Sequence, residues 1–255
     1  MQPSLYISHG SPMLALDPGA SGVALRRLAH ALPRPDAIVL MSAHWASHDL
    51  RVSNAAHPET WHDFSGFPSA LHQVEYPAPG SPELAEKILH MLNTSGLPAQ
   101  ADEQRPFDHG TWVPLSLMYP QADIPVVQIS LPVKQGPEFQ QRIGKALRPL
   151  REQNILLIGS GSITHNLYEL DRYAEPEVSA PWAQAFRDWM VAALAADDEA
   201  ALLNYRQLAP HATRNHPTDE HLLPLYFARG AGDAFKIEHS GFTLGSLAMD
   251  IYSFT

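Results

Sequence analysis

The sequence predicts a single-domain α/β fold, with helices on both faces of a mostly parallel or mixed central sheet. Two observations support this class. First, short apolar runs rich in β-branched residues read as buried strands; they span residues 4–8, 37–42, 124–131 and 155–159. Second, helical patterns lie between or after these runs, at residues 23–31, 81–96, 139–152 and 181–196. Strands that alternate with helices are typical of a sheet covered on both faces.

Local signals justify the elements in order. The first strand cannot continue through Pro12, and the second strand follows the helical pattern at residues 23–31. The helix at residues 81–96 has the clearest ends, with Ser81 as N-cap, Pro82 at the first helical position and Gly96 at the stop. The third strand precedes the helical pattern at residues 139–152, and the fourth strand precedes the one at residues 181–196. The order therefore repeats strand and helix along most of the chain.

Length and composition predict one domain that spans residues 1–255. A chain of 255 residues is within the range of one large α/β unit, and 45% hydrophobic residues can form a full core. The formal net charge is −10 without a block of lysine or arginine, which argues against a nucleic-acid or anionic-membrane partner. No apolar stretch approaches the roughly 20 residues that span a bilayer, and no signal peptide is evident, so we expect a cytoplasmic protein.

The chain contains no cysteine but 14 histidines. The lack of cysteine excludes disulfides, thiolate zinc sites, iron–sulfur clusters and a cysteine nucleophile. A metal would therefore have to be held by imidazoles and carboxylates.

Three histidines stand where predicted strands end. His9 follows the first strand, His44 the second, and His165 follows the fourth after a glycine-serine turn. Ligands of open α/β sheets bind at the carboxyl ends of the strands, so these side chains are expected to converge. Two neutral imidazoles can bind a divalent transition metal and leave positions open for a substrate.

A third ligand is expected from the stretch RNHPTDEHLLPLYFARG, residues 214–230. Pro217 and Thr218 are interpreted as a helix start, with Thr218 as N-cap. His216, Glu220 and His221 are all candidates. Glu220 would complete a set of two histidines and one carboxylate, and His221 would complete a set of three histidines.

Two other segments carry candidate site residues. His109, in FDHGTW, is either a donor that faces the substrate or part of a structural turn. The long loop at residues 57–80 is rich in proline, glycine and aromatic residues, which is typical of a segment that borders a site. The remaining histidines are interpreted as ordinary loop, surface or half-exposed helix residues: His30, His48, His57, His62, His72, His90, His211 and His239.

Six motifs in order resemble the DOPA-type branch of the class III extradiol ring-cleaving dioxygenases. They are SHGSP, SAHW, DFSGFP followed by YPAPGSPELA, FDHGTWVPL, GSGSITHNL and HPTDEHLLPL. The resemblance spans nearly the whole chain. It implies a single catalytic domain related to the catalytic subunit of protocatechuate 4,5-dioxygenase. It also implies a non-haem ferrous iron (Fe2+) and a catechol such as L-DOPA, opened by O2 in a 4,5-extradiol cleavage.

The resemblance implies a role for each histidine of the cluster. His9 and His44 are expected to be metal ligands, His165 to transfer protons as a catalytic residue, and His109 to bind the substrate. The protocatechuate branch uses a glutamate as third ligand, whereas the DOPA-type branch uses a histidine, which favours His221 here.

A site of three histidines suits zinc (Zn2+) as well as iron, so purified protein could carry zinc. Two other functions use the same residues. A zinc hydrolase would use the metal to activate water, and a non-catalytic protein would bind catechols without turnover. The aromatic residues of the long loop would close over a flat ring in the dioxygenase: Trp61, Phe64, Phe67 and Tyr76.

Overall fold

The fold is built around an eight-stranded mixed sheet with strand order β4-β3-β5-β2-β6-β1-β10-β7. The computed structural model describes residues 1–175 and 178–255. The strands of this sheet are β1 (Ser4–Ser8), β2 (Ala37–Ser47), β3 (Leu50–Ser53), β4 (Ala99–Asp102), β5 (Val126–Pro132), β6 (Ile155–Gly161), β7 (Phe235–His239) and β10 (Ile251–Phe254). A separate two-stranded ladder pairs β8 (Phe242–Thr243) with β9 (Leu247–Ala248).

The centre of the sheet is parallel and its flanks are mixed. Strand β6 pairs in parallel with both β1 and β2, and β2 pairs in parallel with β5. Strand β10 is antiparallel to β1 and β7, and β3 is antiparallel to β5. The predicted single-domain α/β fold with a mixed sheet is confirmed. The carboxyl ends of β2, β6 and β1 are therefore neighbours at one edge.

Helices cover both faces of the sheet. They are α1 (Gly19–Ala31), α2 (Pro82–Thr94), α3 (His109–Met118), α4 (Gly136–Leu147), α5 (Pro181–Ala195), α6 (Glu199–Leu203), α7 (Tyr205–Leu208), α8 (Ala212–Asn215) and α9 (Pro224–Ala231), with 3-10 turns at Pro12–Ala15, Ser69–Gln73, Val133–Gln135, Arg148–Gln153 and Leu167–Glu169. Among the residues described, none of these helices is long and apolar enough to cross a membrane. The four predicted strands and four predicted helices are all present, with ends that differ by a few residues.

The core lies in two layers, one on each side of the sheet. Leu5 and Ile7 of β1 pack in the layer that contains residues of α1 and α3. Tyr6, which lies between them, packs in the other layer with residues of α2, α4, α5 and α9. Successive side chains of a strand point to opposite faces, so a sheet buried on both sides needs continuous apolar runs. This explains why the central strands were visible in the sequence.

Helix α3 was not predicted, although it carries a candidate site residue. Its N-cap, Asp108, accepts a hydrogen bond from the backbone N–H of Thr111 at 3.2 Å. Most of its residues are buried, so the helix has no polar face and no visible 3.6-residue period. His109 is consequently the first residue of a helix and not part of a free-standing turn.

The predicted helix start at Pro217 and Thr218 is wrong. The chain forms turns from Pro217 to Leu223, and α9 begins only at Pro224. The hydroxyl of Thr218 donates to Glu220 Oε1 at 3.1 Å instead of accepting from a first-turn N–H. Proline at the first position and the apolar run that follows it fix the start of α9. Glu220 and His221 therefore lie in a turn, where their side chains follow no helical spacing.

Candidate metal centre

Imidazoles from separate segments converge at the carboxyl edge of β1, β2 and β6. His9 follows β1 directly, and its Nε2 lies 3.0 Å from Nε2 of His44. The His221 ring centroid is 5.4 Å from that of His9 and 5.0 Å from that of His44. One nitrogen from each of these three rings lies within 4.8 Å of the other two. This spacing suits a single ion bound between the three rings.

A bulge in β2 aims His44 at this point. The strand was predicted to stop before His44, but it continues to Ser47. Its register against β5 shifts between Met41 and Ala46, and His44 lies in the shifted segment. Bulges of this kind re-aim a side chain next to a site.

The backbone of His44 is held on both sides. Its N–H donates to Ser42 Oγ at 3.1 Å, and its carbonyl accepts from Arg105 at 3.2 Å. Ser42 and Arg105 both donate to the buried carboxylate of Asp108, at 2.6 and 2.5 Å. The bulge is therefore tied to Asp108, the N-cap of α3. The residue that follows this N-cap, His109, is another member of the histidine cluster.

A close backbone contact places His221. The carbonyl of His221 accepts a hydrogen bond from the N–H of Ser162 at 2.8 Å, directly after β6. A Cβ on Gly161 would lie 2.0 Å from that same carbonyl oxygen. Glycine is required here because the turn that carries His221 packs directly on the strand.

Pro114 determines which nitrogen of His9 carries the proton. A proline inside α3 has no N–H, so the carbonyl of Gly110, four residues earlier, lacks its helical donor. Ser160 Oγ donates to that carbonyl, and His9 Nδ1 lies 2.9 Å from the same Oγ. A hydroxyl has only one hydrogen, so Nδ1 of His9 must donate to Ser160. Nε2 of His9 then carries a lone pair, which lies on the side of the ring that faces His44.

The imidazole of His221 has the same polarity, whereas Nδ1 of His44 only faces a carboxylate from beyond hydrogen-bond distance. His221 Nδ1 lies 3.1 Å from Glu220 Oε1, a carboxylate oxygen that can only accept. Its Nε2 is buried and has no hydrogen-bond partner among the residues described. His44 Nδ1 lies 3.8 Å from Asp63 Oδ2. Ligand histidines commonly present their second nitrogen to a carboxylate or hydroxyl in this way.

Burial keeps four of the clustered histidines neutral. Burial and the neighbouring imidazoles hold the pKa values of His9 and His221 well below 6.5. Burial lowers the pKa of His44 to about 4, and His109 adds to the effect. Burial also lowers the pKa of His165 to about 4. Neutral imidazoles with lone pairs aimed at one point repel one another unless a cation lies between them. The residues present therefore fit a divalent metal.

His165 and His109 flank the three-histidine group. The His165 ring stacks on that of His221, with centroids 3.4 Å apart and planes 9° apart. The His109 ring centroid lies 3.9 Å from that of His44 and 5.5 Å from that of His9. Five of the six histidines singled out in the sequence thus meet at one place.

The other two candidates for the third ligand lie differently. His216 is fully buried, and its Nε2 lies 2.7 Å from the carbonyl oxygen of Ile163, outside the cluster. Glu220 lies behind His221, on the Nδ1 side of that ring. Sequence reasoning missed Asp63 and Ser160, which contact the cluster. Only the position of Ser160 at the end of a predicted strand could have indicated it.

The long loop borders the cluster with part of its length. The Phe64 ring lies 5.8 Å from that of His109, and Phe67 packs on Phe64 at 5.3 Å. Trp61 is 43% exposed and lies beside the guanidinium of Arg105. Tyr76 differs from the expectation, since it is buried in the core and donates to the carbonyl of Tyr119 at 3.2 Å.

Comparison with known proteins identifies a protein family whose model matches nearly the whole chain. Residues 3–254 match the family model described as the catalytic LigB subunit of aromatic ring-opening dioxygenase. A 4,5-DOPA dioxygenase extradiol of Beta vulgaris is 39% identical over 262 residues, which cover 99% of this chain and 96% of that protein. The protein of the same name from Escherichia coli K12 is 38% identical over 254 residues, with coverages of 97% and 92%.

The fold also matches a solved structure. The crystal structure of an uncharacterized protein from Escherichia coli K12 superposes with a TM-score of 0.83. The two chains are 31% identical, and the match covers 100% of each.

Proposed function

Because the chain belongs to the LigB family of aromatic ring-opening dioxygenases, we propose that it opens the ring of L-DOPA or a close catechol with O2 by 4,5-extradiol cleavage. The chain is an extradiol dioxygenase, as the six ordered motifs indicated. The relatives named for 4,5-DOPA cleavage support L-DOPA as the substrate. The match does not favour the alternative of a zinc hydrolase.

One observation carries the assignment of the metal ligands. Nε2 of His221 is buried without a partner among the described residues, and one nitrogen of this ring lies within 4.8 Å of a nitrogen of His9 and of His44. A buried polar atom without a partner costs roughly 1–3 kcal/mol, so this nitrogen is expected to have a ligand in the working enzyme. His9, His44 and His221 are therefore the proposed ligands of one ferrous ion. Iron supplies the redox chemistry that lets a catecholate react with O2, and zinc cannot replace it there.

The remaining residues bind the catechol and move its protons. His109 lies against His44 and under Phe64, where a flat ring would pack between the imidazoles and the loop. His165 is held neutral by burial, so it can accept a proton and return it. Phe64 and Phe67 would exclude water from the ring.

The test is oxygen uptake by the full chain loaded anaerobically with ferrous iron. With L-DOPA and a panel of small catechols, we expect oxygen consumption together with a yellow ring-opened product. Zinc-loaded protein should bind catechols without consuming oxygen, and His9→Ala should be inactive. Absence of oxygen uptake with every catechol, despite full iron content, would contradict the proposal.

A further inference from the structure

The long loop at residues 57–80 places the carboxylate of Asp63 next to His109, the imidazole that we expect to face the substrate. Asp63 Oδ1 accepts two hydrogen bonds from His109, one from its backbone N–H at 2.9 Å and one from ring Nδ1 at 2.9 Å. The Asp63 side chain is only 8% exposed, so water competes weakly for these bonds. Since both donors belong to one residue, the carboxylate fixes the ring relative to the start of α3.

The hydrogen bond determines the tautomer of His109. Oδ1 of Asp63 accepts from the backbone N–H of His109, a group that can only donate. An ionised aspartate has no hydrogen to give to the ring. Nδ1 of His109 must carry the ring proton, and Nε2 is the nitrogen left to meet a ligand.

The second oxygen of the same carboxylate faces another member of the cluster. Asp63 Oδ2 lies 3.8 Å from Nδ1 of His44, beyond hydrogen-bond distance. Of these two rings, only that of His109 is therefore hydrogen-bonded to the carboxylate. Asp63 thus acts from outside the group formed by His9, His44 and His221.

We propose that Asp63 is a positioning residue that holds His109 in the Nδ1–H tautomer, so that Nε2 accepts the proton of a catechol hydroxyl. The O–H bond breaks, the proton moves to Nε2, and the electron pair stays on the catecholate oxygen. The imidazolium that forms lies beside the Asp63 carboxylate, which stabilises it. A ring with its proton on Nε2 would meet the hydroxyl as a donor and would not accept. The catechol rests on the proposed function, whereas the tautomer is independent of it.

The direct test is nitrogen-15 NMR of the full chain, labelled in histidine and loaded with diamagnetic zinc. The His109 signals are assigned by their loss in His109→Gln. We expect a single Nδ1–H tautomer in the wild type and a shift toward Nε2–H in Asp63→Ala. Asp63→Asn keeps an oxygen acceptor and should retain the Nδ1–H tautomer.

Kinetics of the iron-loaded variants give a second measurement. In Asp63→Ala, kcat should fall roughly tenfold or more while KM changes little, because the base is misprotonated and the binding surface remains. Asp63→Asn should recover part of that loss. Asp49 offers a matched control, because it pairs with His48 at 2.9 Å on the exposed surface. Asp49→Ala should leave the His109 tautomer and kcat unchanged.

Three results would overturn the inference. A wild-type His109 protonated on Nε2 would do so even if neither Asp63 variant folded. An Asp63→Ala protein with wild-type tautomer and kcat would do so as well. Two zinc ions per chain, with one lost in Asp63→Ala, would make Asp63 a metal ligand instead. Failure of the iron-loaded wild type to open any catechol would contradict the proposed function, and the zinc-loaded chain would still report the tautomer.

Discussion

At the scale of single residues, His221 is the member of the cluster that most directly tests the metal site. His221→Ala removes the buried Nε2 that has no partner among the described residues. We expect metal content after dialysis to fall from about one ion per chain to a small fraction, because two remaining imidazoles bind weakly. Elemental analysis measures it, and His48→Ala, which removes an exposed imidazole, is the control. Full retention in His221→Ala would favour Glu220 or His216 as the third ligand.

A second residue prediction separates proton transfer from metal binding. His165 stacks on His221 but lies outside the group of three inward nitrogens. In His165→Gln, loaded anaerobically with ferrous iron, metal content and catechol binding should survive. Turnover should fall by roughly a hundredfold, the usual loss for a positioned acid–base group. Lost iron would instead make His165 a ligand, and unchanged turnover would leave proton transfer to His109 alone.

Residue types indicated the site, but their hydrogen-bond partners could not be predicted. His9, His44 and His165 were visible because each follows an apolar run. Asp63 was not, because its contact with His109 depends on the path of an irregular loop. The tautomer of His9 depends on Pro114, which is distant in sequence and acts through two intervening groups.

At the scale of elements, the contact between β6 and the turn before α9 is the most sensitive. A Cβ on Gly161 would lie 2.0 Å from the carbonyl oxygen of His221, so Gly161→Ala must push that turn away. We expect a loss of about 1–3 kcal/mol in the free energy of unfolding together with reduced metal retention. Urea denaturation and metal analysis measure the two effects.

Gly241→Ala is the matched control for this contact. The nearest atom to its added Cβ is 3.7 Å away, an ordinary contact distance. Its stability and metal content should equal those of the wild type. If Gly161→Ala behaved like Gly241→Ala, the close packing of this turn on β6 would not be required for the site.

Elements were missed in the sequence for two opposite physical reasons. Helix α3 is buried almost throughout, so it lacks the polar face that reveals a helix. Strand β4 has the opposite problem, since its AQAD sequence is half exposed and contains no apolar run. Hydrophobicity patterns reveal a helix best when only one of its faces is buried. They reveal a strand best when one or both of its faces are consistently buried.

At the scale of the whole molecule, burying several neutral histidines makes stability depend on pH. Burial lowers the pKa values of His44, His165 and His216 to about 4, against 6.5 for an unperturbed histidine. Between these values the unfolded chain binds more protons than the folded one, so the free energy of unfolding rises with pH. The metal-free protein should therefore be less stable at pH 5 than at pH 7 in urea denaturation. Equal stability at both pH values would contradict the neutral cluster.

The fold class was predictable because the central strands need apolar side chains on both faces. The convergence of the histidines followed from it, since the parallel strands β1, β2 and β6 end at the same edge. Strands β3, β4 and β10 run antiparallel to the centre and lie to either side of it, so they leave that edge unchanged. The position of the third proposed ligand depended on a turn between helices, which no periodic pattern specifies.

Incorporation of oxygen-18 into the product tests the central claim most directly. The iron-loaded chain reacts with a simple catechol under labelled O2 in ordinary water, and mass spectrometry reads the product. A dioxygenase places one atom of O2 in the new carboxylate and the other in the new carbonyl group, which can later exchange with water. We predict oxygen-18 in the carboxylate of a ring-opened product. A ring-opened product without oxygen-18 in its carboxylate, or no ring-opened product despite full iron content, would contradict the account.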